Sequence, residues 1–201
     1  QDQQSPLFNR AIAGNTYSPG STFKIIDAVA ALESGKYDEK SVIDNPAQLP
    51  LPGTNVTLPN FVNGQCATRT QATIEWALAQ SCNTPFANIA LDLGQEKISQ
   101  TASKFGYGQD LSIPLKVTKS DFPSDMTKSQ LAQASVGQYD VKTTPLQVAM
   151  TSAAIANGGV QMKPNLVRSV KTSNLSTLQE FSPEKLRTST SPEIANQVKQ
   201  W

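Results

Sequence analysis

Histidine is absent from the 201 residues. That absence removes every serine–histidine–aspartate and cysteine–histidine arrangement, and every histidine-based zinc site. A hydroxyl nucleophile in such a chain must lose its proton to Lys, Asp, Glu or Tyr. Lysine suits the task, because burial lowers its pKa and leaves a neutral amine. Cysteine is scarce, with only Cys66 and Cys82, too few for a structural zinc site. A disulfide between them would close a loop of about 15 residues, worth roughly 3 kcal/mol in the chain-entropy model. Two separate buried thiols are the other reading, since pairing also needs an oxidising compartment. Charge is sparse too, at 16% of residues and a net +1. No strong field draws the chain to nucleic acid or to an anionic membrane. No apolar run reaches the roughly 20 residues that cross a bilayer, and no signal peptide opens the sequence. Neither a metal, a cofactor nor a nucleic-acid partner is expected.

What is present is mostly helical punctuation. Residues 1–17 carry no periodicity and read as an irregular lead-in. Residues 21–34, STFKIIDAVAALES, read as a helix opened by Pro19-Gly20 and stopped by Gly35. It has almost no polar face, the pattern of a helix buried inside a domain. Residues 44–64 hold four prolines and two glycines and read as a long, turn-rich loop. Short helices follow at 73–79 and 84–93, separated by Ser81-Cys82-Asn83 on a tight link. Thr84 and Pro85 suit the start of the second. Further helices are expected at 95–105, 128–136, 145–157 and 192–201, and a small hairpin at 165–170 and 177–181.

Two patterns carry chemistry. Ser21 and Lys24 form S-x-x-K, three apart and so on one helix face. Ser21 falls in the first turn, where free N–H groups and the helix dipole favour developing negative charge. A nearly apolar helix places Lys24 in a low-dielectric setting. These are the requirements of an activated serine. The bland reading is a serine that caps a helix. The second pattern is Ser81-x-Asn83, whose bland reading is a capping link between helices. The two together, about 60 residues apart, match a catalytic set of penicilloyl-serine transferases.

YSPGSTFKIIDAVAALE, then ALAQSCNTPFANIALDLG, then VGQYDVKTTPLQVAMTSAAIANGG resemble consecutive landmarks of the penicillin-binding transpeptidase family. NRAIAGNTYSPGSTFK and LPLPGTNVTLPNF are most similar to its monofunctional, class B, actinobacterial branch. The resemblance runs from about residue 5 to 201. It implies an α+β fold of the serine β-lactamase and penicillin-binding type, with residues 1–201 as the central part of a single transpeptidase domain. On this basis the chain is mostly α-helical with a small hairpin, and the central sheet is largely missing. Ser21 would be the acylated nucleophile and Lys24 the base. Ser81 would relay a proton, and Asn83 would bind the substrate's acyl side chain and orient Lys24. The Ser21 N–H would supply half of an oxyanion hole. In that branch Cys66 and Cys82 pair.

The implied reaction is D,D-transpeptidation of peptidoglycan stem peptides through an acyl-enzyme, with β-lactams as covalent inhibitors. Cell-division proteins are implied as further partners. The implied location is extracytoplasmic, with the parent protein anchored by an N-terminal helix absent here. D,D-carboxypeptidase or β-lactamase hydrolysis is one alternative; a non-catalytic penicillin sensor or division scaffold is another. The sequence departs from the family at the Lys-Thr-Gly strand. Lys142-Thr143-Thr144 is a decoy, because it precedes the T-P-L-Q segment instead of following it. Without that strand these residues alone are expected to be inactive or nearly so. The roles of the 44–64 loop and of Asp140 stay open.

Overall fold

The structure, a computed structural model, describes residues 8–61, 64–111 and 113–201. The first seven residues of the expected lead-in, and residues 62–63 at the end of the long loop, fall outside it.

Residues Gly20–Phe23 form a single 3-10 turn that runs directly into helix α1, Lys24–Glu33. Three alanines at 28, 30 and 31 let neighbours approach α1 closely, and each is fully buried. Helices α2 (Ile74–Ala79), α3 (Thr84–Leu93), α4 (Gln95–Lys104) and α7 (Pro192–Gln200) all pack against α1. Helices α5 (Lys128–Ala134) and α6 (Pro145–Ala156) complete the set, α5 against α3 and α6 against α7. The shared core includes Phe23, Ile26, Val29, Phe86, Ile98 and Phe105. Helix α3 starts at Thr84-Pro85 with Asn83 as its cap residue. Thr73, Thr127, Thr144 and Ser191 each accept an N–H of the first turn that follows. Thr127 and Gln130 form a full capping box. Helix ends differ from the sequence reading by one or two residues, as frayed termini do. The larger shift is at residues 21–23, which are 3-10 instead of α-helical.

The strands differ more. The expected turn-rich loop at 44–64 holds two strands, β2 (Gln48–Pro50) and β3 (Thr57–Pro59); β1 (Val42–Asp44) leads into it and β4 (Gln71–Thr73) follows. β2 and β3 form an antiparallel hairpin with Leu49 opposite Leu58, and β1 pairs with β4. Three-residue strands are too short to show alternation, and the prolines stand at strand ends, where the ladder tolerates them. β5 (Val160–Met162) pairs with β8 (Lys185–Thr188), a contact the sequence did not suggest. The expected hairpin exists as β6 (Ser169–Lys171) and β7 (Thr177–Glu180). Its first strand begins later than expected, at Ser169. Among the described residues the strands make four separate two-stranded sheets.

Candidate active site

The turn that carries Ser21 is held from behind. Tyr17 and Thr143 exchange two backbone hydrogen bonds, each 2.8 Å, and the Gly20 N–H donates to the Gly137 carbonyl at 3.0 Å. Gly137 has φ +68°, and a Cβ there would lie 2.1 Å from the Gly20 oxygen. Only glycine allows this approach. The G-Q segment therefore backs the serine turn. The decoy triplet is structural. Lys142 pairs with Asp140 at 3.3 Å on the surface, and Thr144 caps α6.

Ser81 sits where α2 stops. Its N–H donates to Leu78 at 3.0 Å and the Cys82 N–H donates to Ala77 at 2.8 Å. This is a Schellman ending, with Ser81 at the left-handed position that usually holds glycine. Its φ is +58°, a conformation that strains a residue with a Cβ. Cys82, the next residue, is fully buried and bonded to Cys66, with the Cα atoms 5.5 Å apart. The disulfide pins the link to the 3-10 turn Gln65–Thr68.

The two motifs meet at the Lys24 side chain, which is fully buried. Its Nζ lies 3.1 Å from Ser21 Oγ, 3.2 Å from Ser81 Oγ, 2.7 Å from the Ser81 carbonyl and 2.7 Å from Asn83 Oδ1. The two shortest contacts are to oxygens that can only accept, so N–H groups must fill them. A neutral amine has two N–H groups and one lone pair. Filling both short contacts leaves the lone pair toward the two hydroxyls. Burial pulls the Lys24 pKa down from 10.5 to about 8, while the nearby Asp27 acts in the opposite direction. The Asn83 amide is oriented as well, because its Nδ2 donates to the Pro59 carbonyl at 2.9 Å. That turns Oδ1 toward Lys24.

The structure thus brings Ser21, Lys24, Ser81 and Asn83 together, and places the Cys66–Cys82 bond directly behind them. Ser21 lies in the first turn, where backbone N–H groups lack a helical partner. Among the described residues no cluster of His, Cys, Asp and Glu could hold a metal. Sequence reasoning missed three groups. Asp27 is fully buried one turn below Lys24, and neither carboxyl oxygen has a partner. Burial pushes its pKa well above the usual carboxylate range, with Lys24 acting the other way. Its only sequence signal was to be the one acid in the first turn of an apolar helix. Asn45 and Asn60 looked like loop residues beside prolines, yet both are buried behind Asn83.

The whole chain, residues 1–201, matches the family described as penicillin binding protein transpeptidase domain. It is 40% identical over 195 residues to a peptidoglycan D,D-transpeptidase PbpA of Mycolicibacterium smegmatis. The match covers 96% of this chain and 39% of that protein. Penicillin-binding protein A of M. tuberculosis superposes with a TM-score of 0.92 in an imipenem acyl-enzyme complex, at 34% identity, covering 99% of this chain and 46% of that one. Its penicillin G acyl-enzyme complex superposes at 0.90 with the same identity, covering 98% of this chain and 45% of that one. The chain therefore spans less than half the length of these relatives.

Proposed function

We propose, from the premise that the chain belongs to the penicillin-binding transpeptidase family, that it carries the acylation machinery of a peptidoglycan D,D-transpeptidase. The observation that carries this reading is the convergence of Ser21, Ser81 and Asn83 on the Lys24 amine. In the proposed reaction Ser21 Oγ attacks the carbonyl carbon of the terminal D-alanyl–D-alanine bond of a stem peptide. The Lys24 amine takes the hydroxyl proton as the C–O bond forms. The Ser21 N–H stabilises the oxygen that gains charge. The proton passes through the Ser81 hydroxyl to the leaving nitrogen, the C–N bond breaks, and D-alanine departs. A side-chain amine of a second stem peptide then attacks the acyl-enzyme, with Lys24 and Ser81 running the transfer in reverse. Asn83 has a second Nδ2 hydrogen for the acyl chain, beyond the one donated to Pro59.

Relatives acylated by imipenem and penicillin G support β-lactams as covalent ligands of Ser21. The disulfide supports an extracytoplasmic location, where thiols oxidise. Among the described residues no helix is long and apolar enough to cross a membrane. Anchoring, which we assign to a helix outside this chain, is checked by whether detergent is needed to extract the protein. Cell-division proteins as partners are checked by co-purification after crosslinking in dividing cells.

The central test is labelling of the protein, as its gene encodes it, with fluorescent penicillin. Expected is a stable adduct mapped to Ser21 by mass spectrometry and lost in Ser21→Ala. Rapid turnover of the adduct, with release of hydrolysed penicillin, would replace transpeptidation with a hydrolytic reading. Failure to label would end the acyl-enzyme reading.

A further inference from the structure

Asn60 is 3% exposed and directly follows β3, 23 residues before Asn83. Its Oδ1 accepts from the Asn83 N–H at 2.7 Å and from the Thr84 N–H at 3.1 Å. Its Nδ2 faces Asn45 Oδ1 at 2.7 Å, Thr84 Oγ1 at 3.0 Å and the Pro46 carbonyl at 3.2 Å. Two N–H donors mark the oxygen end and a carbonyl marks the nitrogen end, so the amide orientation is settled. Asn45, 1% exposed, is equally committed. Its Nδ2 donates to the Cys66 and Arg69 carbonyls at 2.8 and 2.7 Å, and its Oδ1 accepts from Asn60 and from the Thr84 hydroxyl.

These bonds run in one direction. The carbonyls of 66 and 69 fix Asn45, Asn45 fixes Asn60, and Asn60 holds the main chain of Asn83. Meanwhile the Pro59 carbonyl, one residue before Asn60, holds the Asn83 side chain. Asn83 is thus gripped at main chain and side chain by two consecutive residues, with its Oδ1 aimed at Lys24 Nζ. A helix cap alone would account for the bonds to the two N–H groups. It would not account for a fully satisfied buried amide chain ending on the main chain of the residue whose side chain holds the lysine.

We propose that Asn60, supported by Asn45, is a positioning residue for acylation: it sets the place of Asn83 and, through Asn83, the orientation of the Lys24 amine. This rests on the acyl-enzyme reading above. Asn60 touches neither Ser21 nor the lysine and acts only through Asn83. The 44–64 loop then has a purpose, as the rear wall of the S-x-N link.

The test compares acylation by a fluorescent penicillin in the wild-type protein and in Asn60→Ala, Asn60→Asp and Gln161→Ala. Gln161 is a buried amide too, 1% exposed, and holds the Phe105 carbonyl at 3.0 Å away from the site. Asn60→Ala is expected to lower the second-order acylation constant about tenfold or more. It should also move the pH of half-maximal acylation downward, because a displaced Asn83 oxygen no longer favours the ammonium form. Asp27, the titratable group that acts on Lys24, is unchanged in this variant. Asn60→Asp keeps an acceptor for the two N–H groups but sets its second oxygen against Asn45 Oδ1 and the Pro46 carbonyl, and is expected to lose about threefold or more. Gln161→Ala should lose thermal stability without a change in acylation constant or pH profile. If Asn60→Ala does not fold, Asn60→Asp decides. A variant that acylates at the wild-type rate and pH profile overturns the positioning role. So does Gln161→Ala losing acylation as much as the Asn60 variants, since the effect would then be general loosening. A wild-type protein that never acylates overturns this proposal together with the reading it rests on, an outcome distinct from either.

Discussion

At the first turn of α1 the Lys24 nitrogen meets four oxygens, while one turn further on the Asp27 carboxyl meets none. Both side chains are fully buried, and both lose hydration that favours charge. The difference lies in what reaches them. Lys24 is met by a link 57 to 59 residues away, held in place by a disulfide and two buried asparagines. Asp27 is met by the apolar core of the helical set. Burial perturbs both groups, but only the convergent one has hydroxyl groups within hydrogen-bond reach. An acid with no hydrogen-bond partner and a shifted pKa is a stability liability until a partner is found.

The strongest way to break this comparison is to exchange the two groups' effects. Lys24→Met should abolish acylation, by roughly a thousandfold or more, and leave a folded protein, because methionine fills the channel without a buried charge. Asp27→Asn should leave acylation nearly intact. In the wild type, acylation should rise with pH and reach half its maximum near pH 8, as Lys24 loses its proton. A rate independent of pH between 6 and 9 would remove the lysine as base.

Second in size is the disulfide. Cys66→Ala with Cys82→Ala should lower unfolding stability by about 3 kcal/mol, read from urea unfolding with the slope fitted for each protein, since the uncrosslinked unfolded chain is less compact. Acylation should fall as well, since Cys82 stands between Ser81 and Asn83. A stable variant with normal acylation would mean the link is held by the asparagine network alone.

Third is Ser81→Gly. The left-handed φ of +58° suits glycine, so this change should stabilise the protein by about 1 kcal/mol. Acylation should nevertheless drop about a hundredfold through loss of the hydroxyl. Stability and activity moving in opposite directions would mark Ser81 as strained for function. A loss of both would make it an ordinary cap.

Much of this site was legible in the sequence because its signals are local. S-x-x-K and S-x-N need only short spacings, and caps such as Thr144-Pro145 and Ser191-Pro192 announce helices through their own backbone chemistry. The rest was not local. Asn60 gains its meaning from Asn45 and Asn83, 15 and 23 residues away, and alone it is a turn residue beside a proline. The strand pairs β1–β4 and β5–β8 join three- and four-residue segments across long separations, below the length at which alternation speaks. The left-handed Ser81 was hidden because serine carries no sign of positive φ.

The smallest expected effect is on Asp27, and it separates the two turns by sign. An unfolded aspartate loses its proton near pH 4, whereas folded Asp27 keeps its own well above that. Above about pH 4 folding must therefore take up a proton, so Asp27 makes stability fall as pH rises toward its folded pKa. Lys24 works the other way. Its folded pKa of about 8 lies below the unfolded 10.5, so the folded state binds fewer protons across that window and stability rises with pH there. Asp27→Asn removes the first effect alone. It should raise stability at pH 7, and the gain should vanish below about pH 4, where both states of the wild type are protonated. Thermal midpoints of the two proteins from pH 3 to 8 measure this. Midpoints that stay parallel across the range would mean that Asp27 is ionised and partnered in the fold, and the contrast with Lys24 would collapse.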